Sequence, residues 1–577
     1  MFVAWSRRAT GDDPRSHWGH LPRVVLAPGG GRLGAAAGTS ARVSLHAAGD
    51  LAAVSVAPPW GPDAATVAEA YGRHRHDLGR HLRGEFAAVV LDFGRDTLFG
   101  TSSVTSSRPL AFCPVPGGVL VAARSLDLLA HPEVPGALDE TYLAHLITGL
   151  MVARPGTTPL RAIRRLRAGE AIVVRGGAAT ILRVDHLAPR RAYARASLDT
   201  CRDAFWETLE DSVRRRAECV AHPCLSFSGG VDSTVVGLAM TRSVQPLAAF
   251  SLVGATSGQA PSLAGADSRL LDARNAGVIT ALDPYPLHDD PVLAALPLLP
   301  AQLRQWRAMR DAGFDAVFEG EGGDEIFSLH VSPLQAFRRG QLGVALGFLR
   351  RHPLGRALLW RSLVLPHLPA VARTVWYRRW ERSGNHLPSY LAREKLDAPE
   401  VRSAVRDFSV DAVHRDLPRA IEEWLSTPLR VGARLAYEGL AGACGLDYAA
   451  PLVDRDVIEL ALAIPPRWML SPEYDKAFLR RALEGRVPDD VRLRPKDVRL
   501  DDELAPELLV APSTRDLLAD ARVRERLREW VRFQAVERLL DDVRAGYRPP
   551  LLLQWHLHCL IAFAYWYRRA SREHGVI

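Results

Sequence analysis

The stretch Cys224-Leu225-Ser226-Phe227-Ser228-Gly229-Gly230-Val231-Asp232-Ser233-Thr234 constrains this chain more than any other. An apolar strand runs into a glycine turn, and the turn runs into a helix start. The two glycines let the backbone bend tightly and approach an anion, while the first helical turn offers unpaired N–H groups and partial positive charge. The functional reading is a phosphate cradle; the plain one is a glycine turn with a capping Asp or Ser. The strand before and the helix after favour the cradle. A Gly-Lys-Ser/Thr ending is absent, so this is not the loop that grips phosphates with its own lysine. Ser226, Ser228, Gly229, Gly230, Asp232 and Ser233 are the candidate ATP-binding residues, and Asp232 can hold the Mg2+ that a polyphosphate brings.

The flanks read as a parallel sheet with crossover helices. A helix around Cys201 to Arg216 precedes the strand Pro223 to Phe227, the helix Asp232 to Thr241 follows, and further strands fall at Pro246 to Val253 and Ala316 to Glu319. Beyond about Phe327 the pattern is largely helical. The first 190 residues differ: Phe86 to Asp92, Gly118 to Ala123, Ala171 to Arg175 and Ala179 to Val184 are short apolar runs, as in a sandwich of sheets, with one helix at Asp139 to Met151. At 577 residues the chain exceeds one core. Two domains are expected, 1–190 and 191–577, with Pro189-Arg190-Arg191 as the linker.

A second glycine turn, Val317-Phe318-Glu319-Gly320-Glu321-Gly322-Gly323-Asp324-Glu325-Ile326-Phe327, follows the last of those strands. Its acids could be a solvated turn. Strand ends on one edge of a parallel sheet meet at the ligand crevice, however, so Asp324 can share with Asp232 the metal on a leaving pyrophosphate, and Gly320 joins the nucleotide site. Lysine is scarce: only Lys395, Lys476 and Lys496 stand among 73 basic residues. The last two frame one segment.

SGGVDS resembles the signature of the ATP pyrophosphatases, and GEGGDEIF resembles the GEGSDE(I/V/L)F string of the asparagine synthetases. The resemblance continues over Gly445 to Asp456, Tyr474 to Ala482 and Val487 to Lys496. It implies cleavage of ATP between the α and β phosphates, with Lys496 stabilising the anionic adenylation or acyl-transfer state as a catalytic residue. Lys476 is expected to be a helix-face charge holding the domain together. In the amino-terminal half, Leu82 to Asp92 and Thr157 to Glu170 are similar to a glutaminase-like (Ntn-type) domain. That half normally needs a cysteine after the initiator methionine; this chain has Phe2, and Ser102 and Ser103 replace an Arg-Asp pair. Glutamine hydrolysis is therefore not expected.

An adenylating domain joined to a silent glutaminase fold is similar to lasso peptide macrolactam synthetases and β-lactam synthetases. The latter carry a tyrosine where Glu321 stands, which favours the lasso cyclases and makes Glu321 the second catalytic candidate. The resemblance implies that an Asp or Glu side chain of a precursor peptide is adenylated and captured by the peptide's N-terminal amine. A leader-binding protein and a leader peptidase are the implied partners. β-Lactam formation or ammonia-dependent asparagine synthesis is the alternative. Ala449 replaces an arginine of the asparagine synthetase segment, and Asp447 is either a contact for a substrate amine or a buried structural carboxylate.

From Phe337 to Arg382 the chain carries ten arginines and one acid, Glu381, interleaved with Trp360, Trp376, Tyr377 and Trp380. This insert, about 335–385, is either a solvated basic face or a dock for the peptide or a partner protein. No nucleic-acid site is expected. Six scattered cysteines indicate neither zinc nor disulfides. The N-terminus has no signal-peptide pattern. The apolar run Leu551 to Tyr567, broken by Gln554, His556 and His558, reads as a buried helix of a cytoplasmic protein rather than a membrane span.

Overall fold

The computed structural model describes residues 2–7, 23–26, 33–37, 42–148, 154–254, 262–273, 283–291, 299–329, 333–352, single positions between 359 and 375, 388–396, 416–495 and 506–576. Among these, alternating short strands build the amino-terminal half: β1 (Phe2–Arg7), β2 (Arg23–Leu26), β3 (Leu33–Ala37), β4 (Val43–Ala48), β5 (Leu51–Val56), β6 (Ala87–Asp92), β7 (Thr97–Ser102), β8 (Ala111–Val115), β9 (Gly118–Ala122), β10 (Arg164–Arg165), β11 (Glu170–Arg175) and β12 (Ala178–Arg183). They form two antiparallel sheets, in the orders β10-β8-β9-β1-β3-β2 and β12-β11-β7-β6-β5-β4.

The two-residue period of a strand decides what each face meets. In β1, Ala4 points between the sheets with Ala35, Val54, Val89, Val121 and Ile172, whereas Val3 and Trp5 point the other way. Helix α1 (Ala64–His74), capped by the Asp63 carboxylate on the Thr66 N–H, covers the outside of the second sheet with Val67, Ala68 and Tyr71. The outer face of the first sheet joins a core that continues into the carboxyl-terminal half through α2 (Glu140–Ile147). Truncating fully buried Trp5 to alanine there would cost roughly 3–5 kcal/mol. Asp139 caps α2, as expected; residues 149–153 of the expected helix lie outside the described residues.

The second half is organised around a parallel sheet. Helix α3 (Leu198–Ala217) leads to β13 (Pro223–Ser226), α4 (Val231–Met240), β14 (Leu247–Val253), β15 (Ala266–Asp272), α5 (Leu299–Asp311), β16 (Ala316–Phe318), and, after helices α6 (Pro333–Arg338), α7 (Leu342–Arg351) and α8 (Pro428–Ala443), β17 (Asp447–Ala449). The strand order is β15-β14-β13-β16-β17. Chain order runs outward from β13 in one direction and outward from β16 in the other, so the switch point that opens a ligand crevice lies between them. β15 and β17 were not legible in the sequence: β15 is an exposed edge strand whose pattern Ala-Asp-Ser-Arg-Leu-Leu-Asp does not alternate, and β17 is three residues inside helical sequence.

Helices α9 (Arg455–Ala463), α10 (Ala477–Ala482) and α11 (Leu551–His574) complete the frame of the site. α11 is the buried helix expected from Leu551, extended to His574, with Gln554, His556 and His558 inside the packing. Among the described residues no helix is long and apolar enough to cross a membrane. The expected linker is docked rather than loose: Arg190 donates its N–H to the Glu459 carbonyl and its guanidinium to Asp456 at 2.7 Å.

Candidate active site

β13 ends on Ser226, Gly229 turns the chain at φ +73°, and Gly230 caps α4. The Ser228 and Ser233 hydroxyls face each other at 3.1 Å, and the Thr234 hydroxyl donates to the Gly230 carbonyl at 2.7 Å. The first-turn N–H groups of α4 have no intrahelical acceptor by geometry, which leaves them to an anion. The Ser226 hydroxyl donates to Gln305 of α5 at 3.2 Å and braces the strand end.

The glycines of the second loop have a steric reason. A Cβ on Gly320 would lie 2.6 Å from the Ser233 nitrogen, one on Gly323 would lie 2.1 Å from Asp232 Oδ1, and Gly322 adopts φ +97°. The loop after β16 thus presses directly on the start of α4, and side chains there would force the two apart. The result brings Asp232 and Asp324 together, as the order of strand ends implied.

Between them stands Lys476. Its ammonium pairs with Asp232 Oδ2 and, at 3.0 Å, with Asp324 Oδ1. The helix-face role expected for Lys476 is corrected: the residue precedes α10 in a left-handed conformation, φ +49°, which aims its side chain at the crevice. Burial works against the ammonium, but the two carboxylates outweigh it and hold Lys476 above the usual lysine range. Two carboxylates that already gather one cation are a donor set suited to Mg2+, which takes one or two carboxylates and completes its shell with phosphate oxygens and water. Among the described residues no three His, Cys, Asp or Glu side chains converge as a closed metal cage. Lys496 lies outside the described residues. Arg480 of α10 holds the described residues before it, donating to the carbonyls of Arg492 at 2.7 Å and Arg494 at 2.9 Å.

Behind this edge lies a buried box of charge. Glu321 Oε1 meets Arg430 at 2.8 Å, and Glu321 Oε2 meets Arg434 at 2.7 Å and accepts from the Tyr448 hydroxyl at 3.1 Å. Arg434 also reaches Glu438 at 2.9 Å and Glu85, from the amino-terminal half, at 3.2 Å, and its guanidinium lies over the Tyr448 ring. Glu85 and Asp454 share Arg216, and Arg108 completes the set on Glu438 at 3.0 Å. Burial alone would raise the Glu321 carboxyl; Arg430 and Arg434 overcome it and hold Glu321 below its ordinary range. A carboxylate so held is a weak proton acceptor, and the two arginines make Glu321 an anchor for its loop. Two residues earlier, Glu319 accepts from Tyr448 and from Gln302, both at 2.9 Å, and burial pushes its carboxyl up.

Asp447 is not brought to this crevice. It opens β17, opposite Ala316 at the amino-terminal end of the sheet, and its carboxylate pairs with Arg42, which also donates to the Leu446 carbonyl at 3.2 Å. Its placement is that of a structural carboxylate joining the two halves. Sequence reasoning missed Arg430, Arg434, Glu85 and Tyr448. Arg430, Arg434 and Glu438 stand four apart on α8, a one-face charge pattern that could have flagged them.

The asparagine synthase family profile matches residues 204–568. A protein described as a putative glutamine-hydrolysing asparagine synthetase of Mycobacterium tuberculosis (strain ATCC 25618 / H37Rv) is 24% identical over 460 residues, covering 75% of this chain and 69% of that one. Glutamine-hydrolysing asparagine synthetase 3 of Bacillus subtilis (strain 168) is 21% identical over 467 residues, 75% of this chain and 70% of that protein. A solved glutamine phosphoribosylpyrophosphate amidotransferase from B. subtilis, complexed with ADP and GMP, superposes on 55% of this chain and 81% of its own at TM-score 0.23 and 10% identity, a likeness too slight to argue from.

Proposed function

Because the chain belongs to the asparagine synthase family, we propose that it activates a carboxylate with ATP and joins the acyl group to an amine. The observation that carries this reading is the pairing of a glycine-cradled helix start with Asp232, Lys476 and Asp324 at one switch point. A carboxylate oxygen attacks the α phosphorus, the bond to the bridging oxygen breaks, and pyrophosphate leaves. The α4 N–H groups and the Ser228 and Ser233 hydroxyls hold the phosphate oxygens, and Lys476 offsets the charge that develops on them. Mg2+, when bound by Asp232 and Asp324, supplies charge neutralisation for the leaving pyrophosphate. The amine nitrogen then attacks the acyl carbon, AMP departs with the C–O electron pair, and the amine's proton passes to a base. Glu319, raised by burial, suits that task better than Glu321.

The finer reading is a peptide macrolactam cyclase of the lasso type, acting on an internal Asp or Glu side chain and the N-terminal amine of one precursor peptide. Three features support a nucleophile brought by the substrate: Phe2 where a cysteine nucleophile is needed, Ser102 and Ser103 in place of the glutamine anchor, and Ala449 at the sheet edge, which has no side chain to grip a free amino acid. A leader-binding protein and a leader peptidase are proposed partners.

Purified protein with Mg·ATP and a leader-free precursor peptide encoded beside its gene is expected to give a product lighter by one water, with AMP and pyrophosphate. ADP as the nucleotide product overturns the adenylation reading. Asparagine formed from aspartate and ammonia, with the peptide untouched, overturns the cyclase reading and leaves adenylation standing.

A further inference from the structure

The basic insert has no role in the reaction above, and it is built unlike the rest of the surface. From Ile326 to Trp380 the chain has nine arginines and not one Asp or Glu. Of the thirteen exposed large apolar side chains among the described residues, seven fall between Phe337 and Val375. Positive charge without counter-charge and exposed apolar area thus coincide on one segment.

The hairpin of α6 and α7 shows how this arises. Its inner face is seated: Ala336 and Ala345 pack on Leu470, with Val344 and Phe348 beside them. Arg339 pins it by donating to the carbonyls of Leu462, Ala463 and Ile464 at the end of α9, at 2.8 to 3.4 Å. The outer face remains apolar: Phe337, Leu342 and Leu346 are each about half exposed, the two leucines one helical turn apart. Arg338, Arg350 and Arg351 flank them, exposed, and meet no carboxylate among the described residues. A rigidly held helix that is apolar outward and arginine-flanked has the make-up of an interfacial element.

We propose that the outer face of the α6–α7 hairpin docks the protein on an anionic phospholipid surface. Leu342, Leu346 and Phe337 enter the acyl boundary, and the arginines pair with lipid phosphates. A bilayer fits better than an acidic protein because the outward leucines stand on a convex helix, where a fluid surface needs no matching pocket. Trp360, further along the chain, is also exposed and is a residue type favoured at headgroup depth.

The test is flotation of the full chain with vesicles of equal parts phosphatidylglycerol and phosphatidylcholine, against phosphatidylcholine alone, at low and high salt. Binding is expected to the mixed vesicles and to weaken in high salt. Arg350→Gln and Arg351→Gln are each expected to weaken it about fivefold, and Leu342→Ser and Leu346→Ser each by a similar factor of about five. ATP-dependent AMP release without vesicles should be unchanged in all four, which shows that they fold. No binding to either vesicle overturns the proposal. So does binding that ignores the leucines, which marks a general polyanion site, or capture by soluble polyglutamate with none by vesicles, which marks an acidic protein partner.

Discussion

Two clusters of the same chemical groups lie side by side in this molecule and are built to opposite ends. At the sheet edge, Asp232 and Asp324 share the Lys476 ammonium, and their side chains keep 19% and 32% of their surface open to solvent. Behind it, Arg434, Glu85 and Glu438 keep 1%, 5% and 9%, with Arg108 and Glu321 at the rim keeping 20% and 17%. There Arg108, Arg216, Arg430 and Arg434 answer Glu85, Glu321, Glu438 and Asp454, four guanidinium groups to four carboxylates. The open cluster can exchange its cation as a polyphosphate arrives, because water compensates each intermediate arrangement. The sealed one cannot: in low dielectric, losing one partner strands the others. Function therefore sits on the solvated pair, and the buried box fixes the loop that carries it.

The largest expected effect tests the sealed side. Arg434→Met keeps the volume and removes the charge that three carboxylates share, so the stability by denaturant titration should fall by about 3–5 kcal/mol. A fall below about 1 kcal/mol would mean that the box relaxes or hydrates, and the contrast with the edge would disappear. Next comes the open side. Lys476→Ala should lower the rate of AMP release about 10²- to 10³-fold, with a denaturation midpoint close to that of the parent. If it unfolds the protein as Arg434→Met does, Lys476 is a structural tie after all.

Acid sensitivity separates the box from the apolar core between the halves. His145 on α2 is buried, and burial holds it down from 6.5 to about 4; His288 is likewise held near 4. For such a group the unfolded chain takes up the proton first. The stability it lends is present above about pH 6.5 and lost as pH falls toward about 4. Glu438, held down to about 2, gives its share above the ordinary carboxylate value and loses it only below that value. His145→Leu should therefore remove on the order of 2–3 kcal/mol of the stability lost between about pH 6.5 and 4. Asp127 and Asp290, both pushed up to about 6 by burial, work the other way in the same window and are unchanged by that substitution. An unchanged slope would show that burial does not hold His145 neutral in the folded chain.

How much of this was legible follows the same division. The phosphate loop, the acidic glycine loop and the strands before them could be read because each is a contiguous string whose local physics, turn, helix start and apolar run, is complete in sequence. The meeting of Asp232 with Asp324 followed from one topological rule. Lys476 could be noticed but not placed, since its aim depends on a left-handed residue before α10 that no local pattern announces. Glu321 stands out by its motif, but its surroundings could not be read, because its partners Arg430 and Arg434 come from a helix more than a hundred residues away, and Glu85 from the other half of the chain. Asp447 leaves two readings open in sequence because β17, three residues long, gives no sign of which end faces the crevice.

Glu85 carries the smallest expected effect and the sharpest test, since it is the carboxylate that the amino-terminal half contributes to the site's foundation. Burial raises its carboxyl, and Arg434 and Arg216 pull it back only in part, so it is the least firmly ionised member of the box. Glu85→Gln preserves shape, and both arginines keep other carboxylates, Glu321 and Glu438 for one and Asp454 for the other. The cost should be about 1–3 kcal/mol, less than that of Arg434→Met. Combined with Arg434→Met, the two losses should fall short of adding, because the second substitution removes a partner already gone. Strict additivity would show that Glu85 has no electrical part in holding Arg434, and through it Glu321 and its loop.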